Sequence, residues 1–514
     1  SFSQWADAQI LKVENNIIQN VADETAAGIF TVVSQKDDND DDLFTVGATA
    51  NADFATYFGT AGNTVADMGV LASNPTPTGD VYGAEFEGMD AWFQRVGYKG
   101  AFKPNQNWAK GWTLSLGDVD AQANANTGTT ITVTDATMTA AGTEVNWTSE
   151  NTYLLDGFVF VNDGQTLTIE AGTVVKGKPG QEELASALIV AKGGKIYANG
   201  TAAEPIIFTA EADDLAGSVA DGAQGLWGGV IVLGKGTTNN STAEKAIEGI
   251  PTSETRGLYG ADPTVADDNS GSMQYVSIRH GGTNIGEGNE INGLTLGAVG
   301  TSTTFSYMEI VANADDGVEW FGGAPKCDHI LVAWVGDDSY DYDEGFSGMN
   351  QFMAAIQISD DGDRLGEHDG NPSSNPTAAP FAEPWFSNVT YVGRGAGAGK
   401  RVITFRDNAG GHYVNSVFAE QARGIDLEWR DDQGGATSGD PTGLCSFSQW
   451  ADAQILKVEN NIFQNVADET AAGIFTVVSQ KDDNDNDLFT VGATANADFA
   501  TYFGTAGNQV KDVG

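Results

Sequence analysis

Short apolar runs rich in Val and Ile recur along the chain, and this pattern constrains the fold more than any other feature. Gly, Asn and Asp turn signals separate the runs, and no stretch with the helical period lies between them, which disfavours βαβ units. The hairpin turns of a jelly roll and the regular four-strand blades of a propeller are also missing from the pattern. The sequence therefore predicts an all-β, right-handed parallel β-helix. The runs are Leu167–Ile169, Leu188–Val190, Ile206–Phe208, Val230–Leu233, Tyr275–Ile278, Leu294–Val299, Tyr307–Val311, Ile330–Val335, Val389–Val392, Tyr413–Phe418, Ile425–Leu427 and Leu456–Val458.

Charge and composition exclude several classes of function. The 514 residues include 71 Asp and Glu against 25 Lys and Arg, a net charge of −46, which repels nucleic acids and anionic membrane surfaces. No apolar run approaches the roughly 20 residues of a membrane helix, so membrane insertion is not expected. Cys327 and Cys445 are too few for a disulfide scaffold, and their spacing leaves both the paired and the free state open.

A long duplication organises the chain. Residues 1–69 recur without a gap as residues 446–514, an offset of 445, and we interpret this as a tandem array with a unit of about 445 residues. The alternative is a single protein whose related terminal segments serve as two caps. The copies differ at Ile18/Phe463, Asp41/Asn486, Thr64/Gln509, Ala66/Lys511 and Met68/Val513.

The array interpretation predicts four segments. They are the terminal coils of a preceding unit (1–69), an aromatic tail that joins units (70–117), the β-helix body of the next unit (118–445) and the terminal coils of that unit (446–514). Trp92, Trp108 and Trp112 lie in the tail, and we expect them to form the joint between units. We expect the tail to dock near the start of the body, at Trp147–Phe160, so that neighbouring units stack head to tail into a rod of roughly 80 Å per unit.

Asparagine recurs beside the apolar runs, at Asn388, Asn415 and Asn461. Asparagine at a bend between coils can hydrogen-bond to the equivalent side chain on the next coil, as in the ladders of stacked strands. We therefore expect these three residues to form hydrogen bonds along the helix axis.

Several long motifs in a fixed order resemble a known family. They include Leu167–Gly177, Gly225–Gly234, Tyr275–Gly282, Asn289–Leu296 and Ile403–Gly410. Together they resemble large secreted or cell-surface β-helix proteins of Bacteroidota, which are associated with type IX secretion or are lipoprotein-like. The resemblance spans roughly 145–514 and implies a β-helix fold and an extracellular location, but it implies no catalytic residue.

The carboxylates around residue 340 form the first candidate metal site. Asp337, Asp341 and Asp343 alternate with other residues, so on a strand they would share one face. Carboxylates this close repel each other unless they are protonated or bridged by a cation, and Ca²⁺ prefers such oxygen ligands. The alternative interpretation is a solvated acidic loop.

Two further acidic stretches carry the same two interpretations. Asp38, Asp40 and Asp42, together with their copies Asp483, Asp485 and Asp487, have the alternating start of a calcium loop but lack the distal Glu of an EF-hand. A third cluster comprises Asp360, Asp361, Asp363, Glu367 and Asp369.

Catalytic chemistry has weaker support in the sequence. Asp315–Asp316 and Asp337–Asp338, with Arg279, His280 and His368, are residue types that polysaccharide hydrolases and lyases use. No motif ties an acid to a base, and adjacent Asp residues are frequent in turns, so no catalytic residue is assigned and the chain is not expected to be an enzyme.

The sequence therefore leaves three functional hypotheses. The first is an extracellular structural protein, a repeat unit of a cell-surface fibre that self-associates and that Ca²⁺ stiffens. The second is a surface adhesin that binds glycans. The third is a polysaccharide lyase or hydrolase.

Overall fold

The computed structural model describes most of the chain after residue 85. The described residues are 86, 88–103, 106–116, 128–181, 184–286, 289–357, 362–371, 378–395, 400–430, 445–481 and 486–511, together with the short strands β1 (Ile17–Ile18) and β2 (Thr64–Val65).

Three parallel sheets run side by side along one axis, and each coil of the chain adds one strand to each sheet, which confirms the predicted parallel β-helix. Sheet 1 contains β4 (Glu144–Trp147), β7 (Thr166–Ile169), β10 (Lys195–Asn199), β23 (Met349–Gln351), β26 (Trp385–Ser387), β29 (Gly411–Val414) and β32 (Leu456–Glu459). Sheet 2 contains β3 (Thr130–Val133), β5 (Thr152–Leu155), β8 (Val174–Gly177), β11 (Ile206–Ala210), β24 (Ala354–Ile356), β27 (Thr390–Val392), β30 (Val417–Gln421), β33 (Ile462–Val466) and β35 (Gln509–Val510). Three long strands bend and belong to both sheets: β15 (Gly271–Arg279), β19 (Thr304–Val311) and β21 (Lys326–Ala333).

Sheet 3 supplies the face that carries the candidate site. Its ten strands are β6 (Phe158–Val161), β9 (Ala187–Val190), β12 (Val230–Leu233), β18 (Leu294–Gly297), β20 (Val318–Phe321), β22 (Tyr340–Asp343), β25 (Gly366–Asp369), β28 (Arg401–Arg406), β31 (Arg423–Trp429) and β34 (Phe475–Ser479). Outside the three sheets lie the antiparallel pairs β13 (Lys245–Ala246) with β14 (Leu258–Tyr259) and β16 (Asn284–Gly286) with β17 (Asn289–Glu290).

The sheets enclose one continuous hydrophobic core, because alternate residues of each strand point inward. Val318, Trp320, Tyr340 and Tyr342 are fully buried on neighbouring strands of sheet 3, and the residues between them point outward. With neighbouring strands about 4.8 Å apart, the twelve strands of sheet 2 make a stack about 53 Å long. The expected rod of roughly 80 Å was too long because the loops between strands lengthen the coils.

The bend between sheets 1 and 2 is made by residues with left-handed backbone angles: Tyr275, Tyr307, His329, Phe352, Asn388, Asn415 and Asn460. The asparagine part of this series confirms the predicted axial hydrogen bonds. Asn460 Nδ2 donates to Asn415 Oδ1 at 2.7 Å, and Asn388 Nδ2 donates to Asn415 O at 3.5 Å. Asn460 stands at the bend in place of the predicted Asn461, whose buried side chain donates to Tyr413 O at 3.0 Å.

Helices cover both ends of the β-helix. At the first end, α1 (Asp135–Ala140) lies over β6, and Asp135 Oδ1 accepts from Phe160 N at 3.3 Å. At the last end lie α2 (Ser446–Ser448), the π-helix Gln449–Ala453, α3 (Ala471–Ile474) and α4 (Ala495–Thr505). These contacts satisfy backbone groups of edge strands that would otherwise pair with another chain.

The tail, residues 88–116 as described here, lies along the outer face of sheet 2 and the neighbouring bend. Ala101, Phe102, Ala109 and Leu114 are buried against residues of β19, β21, β24, β27 and β30. The prediction that the tail docks near Trp147–Phe160 is therefore wrong for this chain. The aromatic bend explains the difference, because its outward rings offer an apolar surface far from the first coils.

The two cysteines are buried and free, so the open question of a disulfide is settled against pairing. Among the described residues, no helix is long and apolar enough to cross a membrane.

Candidate cation centre on the outer face of sheet 3

Three successive coils place carboxylates in line on the outer face of sheet 3. The register pairs Glu319 with Asp341, and Asp341 with Glu367. The same coils begin with turns that carry Asp315 and Asp316 on the first coil and Asp337 and Asp338 on the second. Because equivalent residues of stacked strands lie about 4.8 Å apart, the carboxylates form rows along the axis.

Asp316, Glu319 and Asp341 form the most enclosed cluster. Each offers one carboxylate oxygen, and these oxygens lie within 4.8 Å of one another. A Ca²⁺ ion binds oxygens at about 2.3–2.6 Å, so one ion between the three oxygens would contact all of them. Asp316 and Glu319 are buried, and Asp341 is half-buried.

One oxygen of this cluster has no partner among the described residues. Asp341 Oδ1 is enclosed by protein and accepts no hydrogen bond. Its neighbours are partly engaged, because Glu319 Oε2 accepts from Asn292 Nδ2 and Asp316 Oδ1 accepts from Asp338 N at 2.8 Å. The charge of Arg406 acts on Asp341, but Asp341 Oδ1 itself accepts no hydrogen bond from a described residue. A buried acceptor without a donor is costly, so this oxygen is a candidate cation ligand.

Burial raises the pKa of all three carboxyl groups well above the usual range. For Asp316 the charge of Asp338 adds to this effect, for Glu319 the charge of Glu248, and for Asp341 the charge of Glu319. Desolvation and mutual repulsion both penalise the charged form, and a bound cation would relieve both.

Two further clusters flank the first. Asp315, Asp316 and Asp337 form one, and Asp337, Asp338 and Asp363 form the other. The cluster that contains Asp363 differs from the other two because it has positive neighbours. Arg364 Nη1 lies 3.0 Å from Asp363 Oδ2, and Lys400 Nζ lies 3.0 Å from Asp363 Oδ1. These two cations already offset part of its negative charge, so the Asp316 cluster is the better candidate cation site.

On the third of these coils and the one after it, the carboxylates pair with arginines. Arg364 contacts Glu367 at 2.6 Å, while Arg406 contacts Glu367 at 2.9 Å and Asp369 at 2.5 Å. The third predicted cluster is thus partly an ion-pair network, and its members Asp360 and Asp361 lie outside the described residues.

Asp337, Asp341 and Asp343 do not form one site. Asp341 joins Asp316 and Glu319, whereas Asp337 joins the two flanking clusters. Asp343 belongs to none of the three clusters found in the described part of the chain. Its pKa is raised to about 8 by burial and by the charges of Asp369 and Glu344.

Of the candidate ligands in the two acidic loops, only Asp487 lies among the described residues. Asp38, Asp40, Asp42, Asp483 and Asp485 lie outside the described residues. Asp487 is exposed, and its Oδ1 lies 2.8 Å from Lys481 Nζ.

A groove of about 960 Å³ adjoins the arginine end of the rows. Its floor comprises Arg401, Thr404, Arg406, Asp426 and Glu428, and residues 487–491 form part of its wall. The groove is polar and carries both charge signs, which suits a hydroxyl-rich ligand.

The basic residues that could serve in catalysis, Arg279, His280 and His368, do not reach this outer face. His368 is fully buried in the core, where its ring stacks on Tyr342 at 4.0 Å and its Nε2 lies 2.7 Å from the Tyr413 hydroxyl. Burial lowers its pKa to about 3. Arg279 and His280 are also buried, at 3% and 2% exposure.

A protein-family match agrees with the β-helix fold. The model of the pectate-lyase like beta helix domain matches residues 136–506. The chain belongs to this pectate-lyase-like β-helix family. The match covers all of the body except residues 118–135 and most of the second copy, and it starts after the tail.

Other comparisons add little to the family assignment. No curated protein matches the chain. Among solved structures, the catalytic domain of Agl-KA is similar at 11% identity over 73% of this chain, with a TM-score of 0.23. The chain covers 64% of the length of that structure.

Sequence reasoning overlooked Glu319 as a candidate metal ligand. A signal was present, because Asp315–Phe321 aligns with Asp337–Asp343 at an offset of 22 residues, which brings Glu319 beside Asp341. Reading the acidic stretches as coils of one stack, and not as separate loops, would have found the cluster.

Proposed function

We propose that this pectate-lyase-like β-helix is a structural unit of an extracellular fibre, that Ca²⁺ stiffens it, and that the tail connects neighbouring units. The observation that carries the proposal is the docked tail. It follows one copy of the terminal coils and is held along a body that ends in the other copy. In an array, such a tail would fasten the end of one unit to the flank of the next.

The body supports this role because it binds the backbone of the tail through several hydrogen bonds. Asn388 Nδ2 donates to Tyr98 O, Gly100 N donates to Asn415 O and Ala101 N donates to Thr390 Oγ1, each at 2.8 Å. The covered ends of the β-helix support a joint of this kind, because helices at both ends leave less edge for coil-on-coil stacking.

The bound cation has a mechanical role in this proposal. Asp316 and Glu319 belong to one coil and Asp341 to the next, so a shared ion would tie neighbouring coils together. An extracellular location fits this role because free Ca²⁺ is abundant outside cells, where millimolar affinities suffice.

Electron microscopy of the full chain tests the fibre. With Ca²⁺ present we expect rods that join through the tail, the end of one on the flank of the next, into filaments whose length grows with protein concentration. Single rods of about 53 Å at every concentration would contradict the proposal.

The groove beside the arginines favours a second candidate function, the binding or cleavage of a glycan. Its volume of about 960 Å³ accommodates several sugar rings, and Arg401 and Arg406 lie among its lining residues. A screen of neutral and acidic polysaccharides, read out by binding and by new reducing or unsaturated ends, tests this candidate. No binding and no cleavage by the full chain would exclude it.

A further inference from the structure

The last coil of the β-helix is made entirely by the second copy of the duplicated segment. Its strands β32, β33 and β34 pair in parallel with β29, β30 and β31 of the body. Residues 411–429 of the body therefore form an acceptor end, and residues 446–511 close it.

We propose that this acceptor end also binds residues 1–69, the first copy, so that either copy can close the β-helix. The occupant is a defined segment of the chain, and its chemistry is the same as that of the segment already seen on the acceptor end. This inference concerns the closure of the body and does not depend on fibre formation or on a bound cation.

The residues that close the acceptor end recur in the first copy. Asn461 Nδ2 donates to Tyr413 O at 3.0 Å, and Asn460 Nδ2 donates to Asn415 Oδ1 at 2.7 Å, so both side chains contact the acceptor end directly. Phe475 and Phe499 stack at 4.5 Å and are fully buried. The corresponding residues of the first copy are Asn16, Asn15, Phe30 and Phe54, so none of these side chains is replaced.

One buried difference gives the second copy an advantage. Phe463 is fully buried and contacts Phe418, Phe475 and Phe503, and the first copy has Ile18 in its place. Isoleucine fills less of that volume, so the first copy should bind the acceptor end more weakly. The second copy accordingly holds the end in this structure.

The backbone of the first copy supports the same conclusion. Ile17 pairs with Thr64, and Ile18 with Val65, in parallel. At the offset of 445 this register is that of Ile462 with Gln509 and Phe463 with Val510 in the second copy. Both copies therefore form the same strand pair.

The docked tail leaves enough chain for the first copy to reach the acceptor end. Phe93 contacts Trp385 at a ring separation of 6.2 Å, and β26 lies two strands below β32 in sheet 1. That axial separation is about 10 Å. The connection of residues 70–87 can span several times this distance, since an extended chain covers about 3.3 Å per residue.

Disulfide trapping in the full chain tests the proposal. Asp426 and Thr476 are register partners on β31 and β34, and Thr31 is the first-copy equivalent of Thr476. We expect Asp426→Cys with Thr476→Cys to cross-link fully. Asp426→Cys with Thr31→Cys should cross-link in a minority of molecules, and in a majority once Phe475→Ala weakens the second copy. The native cysteines are buried and should not compete.

Phe30→Ala is the matched control, because it weakens the first copy at the equivalent position. Added to Phe475→Ala, it should abolish the cross-link between positions 31 and 426 and lower the unfolding temperature far more than either change alone. A cross-linked monomer shows that the first copy of the same chain occupies the acceptor end, and a cross-linked dimer shows that the first copy of a neighbouring chain does. Either product supports the proposal that the acceptor end binds the first copy. No link in the Phe475→Ala background, whether the chain stays folded or unfolds, would overturn the proposal.

Discussion

The buried carboxylate of Glu309 accepts a hydrogen bond from the backbone N–H of Leu114 at 2.9 Å, and this contact links the tail to the body. Its other oxygen accepts from both the backbone N–H and the hydroxyl of Ser115 at 2.8 Å. Glu309 lies fully buried beneath the tail, and the tail supplies three of its hydrogen-bond donors.

Glu309→Ala should loosen the end of the tail that lies over β19. Hydrogen bonds to charged groups contribute about 1.5–3 kcal/mol each to stability, so the loss of those from Leu114 and Ser115 should raise the exchange rate of both amides more than tenfold. Hydrogen exchange with mass spectrometry measures this. Glu150→Ala, on an exposed loop, is the control, and unchanged protection of residues 112–116 in Glu309→Ala would contradict the assignment.

Trp108→Ala with Trp112→Ala should release the whole tail and leave the β-helix folded. Trp112 is 1% exposed, and Trp108 stacks on Phe102 at 5.3 Å and meets His329 edge-on at 5.2 Å. Truncation of a buried Trp costs about 3–5 kcal/mol. Limited proteolysis should cleave the tail of the double variant first, and its filaments should shorten. Filaments of normal length would show that the tail is not the joint.

The pH dependence of stability should carry a contribution from Glu428. Burial, the largest cause, and the charge of Asp407 raise its pKa to about 7 in the folded chain. A carboxyl group with a raised pKa binds more protons when folded, so its contribution is fully present below the unfolded pKa, near 4.5, and is lost as the pH rises through about 7. Glu428→Gln should therefore flatten the fall in stability between these pH values, by up to about 3 kcal/mol.

Urea denaturation of the wild type and Glu428→Gln between pH 4 and pH 8 measures this effect. The Gln side chain can still accept from Asp407 N, which donates to Glu428 Oε2 at 2.9 Å in the wild type. Parallel profiles for the two proteins would contradict the raised pKa.

The parallel β-helix could be predicted from the sequence because each strand carries its own signal, an alternation of inward Val, Ile and aromatic residues bounded by turns. Tyr340 and Tyr342 point inward and Asp341 outward, as that alternation requires. The partners of Asp341 could not be read from β22 alone, because they depend on the register between coils and hence on the length of each loop. The docking site of the tail could not be predicted from local sequence patterns either. Tyr275, Tyr307 and His329 form the outward stack that receives the tail only because each adopts a left-handed backbone conformation.

Calcium titration followed by calorimetry tests the central claim, that Asp316, Glu319 and Asp341 share a cation. In the wild type at constant ionic strength, Ca²⁺ should bind and raise the unfolding temperature, whereas matched Na⁺ should not. Asp341→Asn and Glu319→Gln should each weaken binding at least tenfold, and Asp487→Asn, whose side chain pairs with Lys481 on an exposed loop, should bind as the wild type does. Equal responses to Na⁺ and Ca²⁺, or unchanged affinity in Asp341→Asn, would contradict the account.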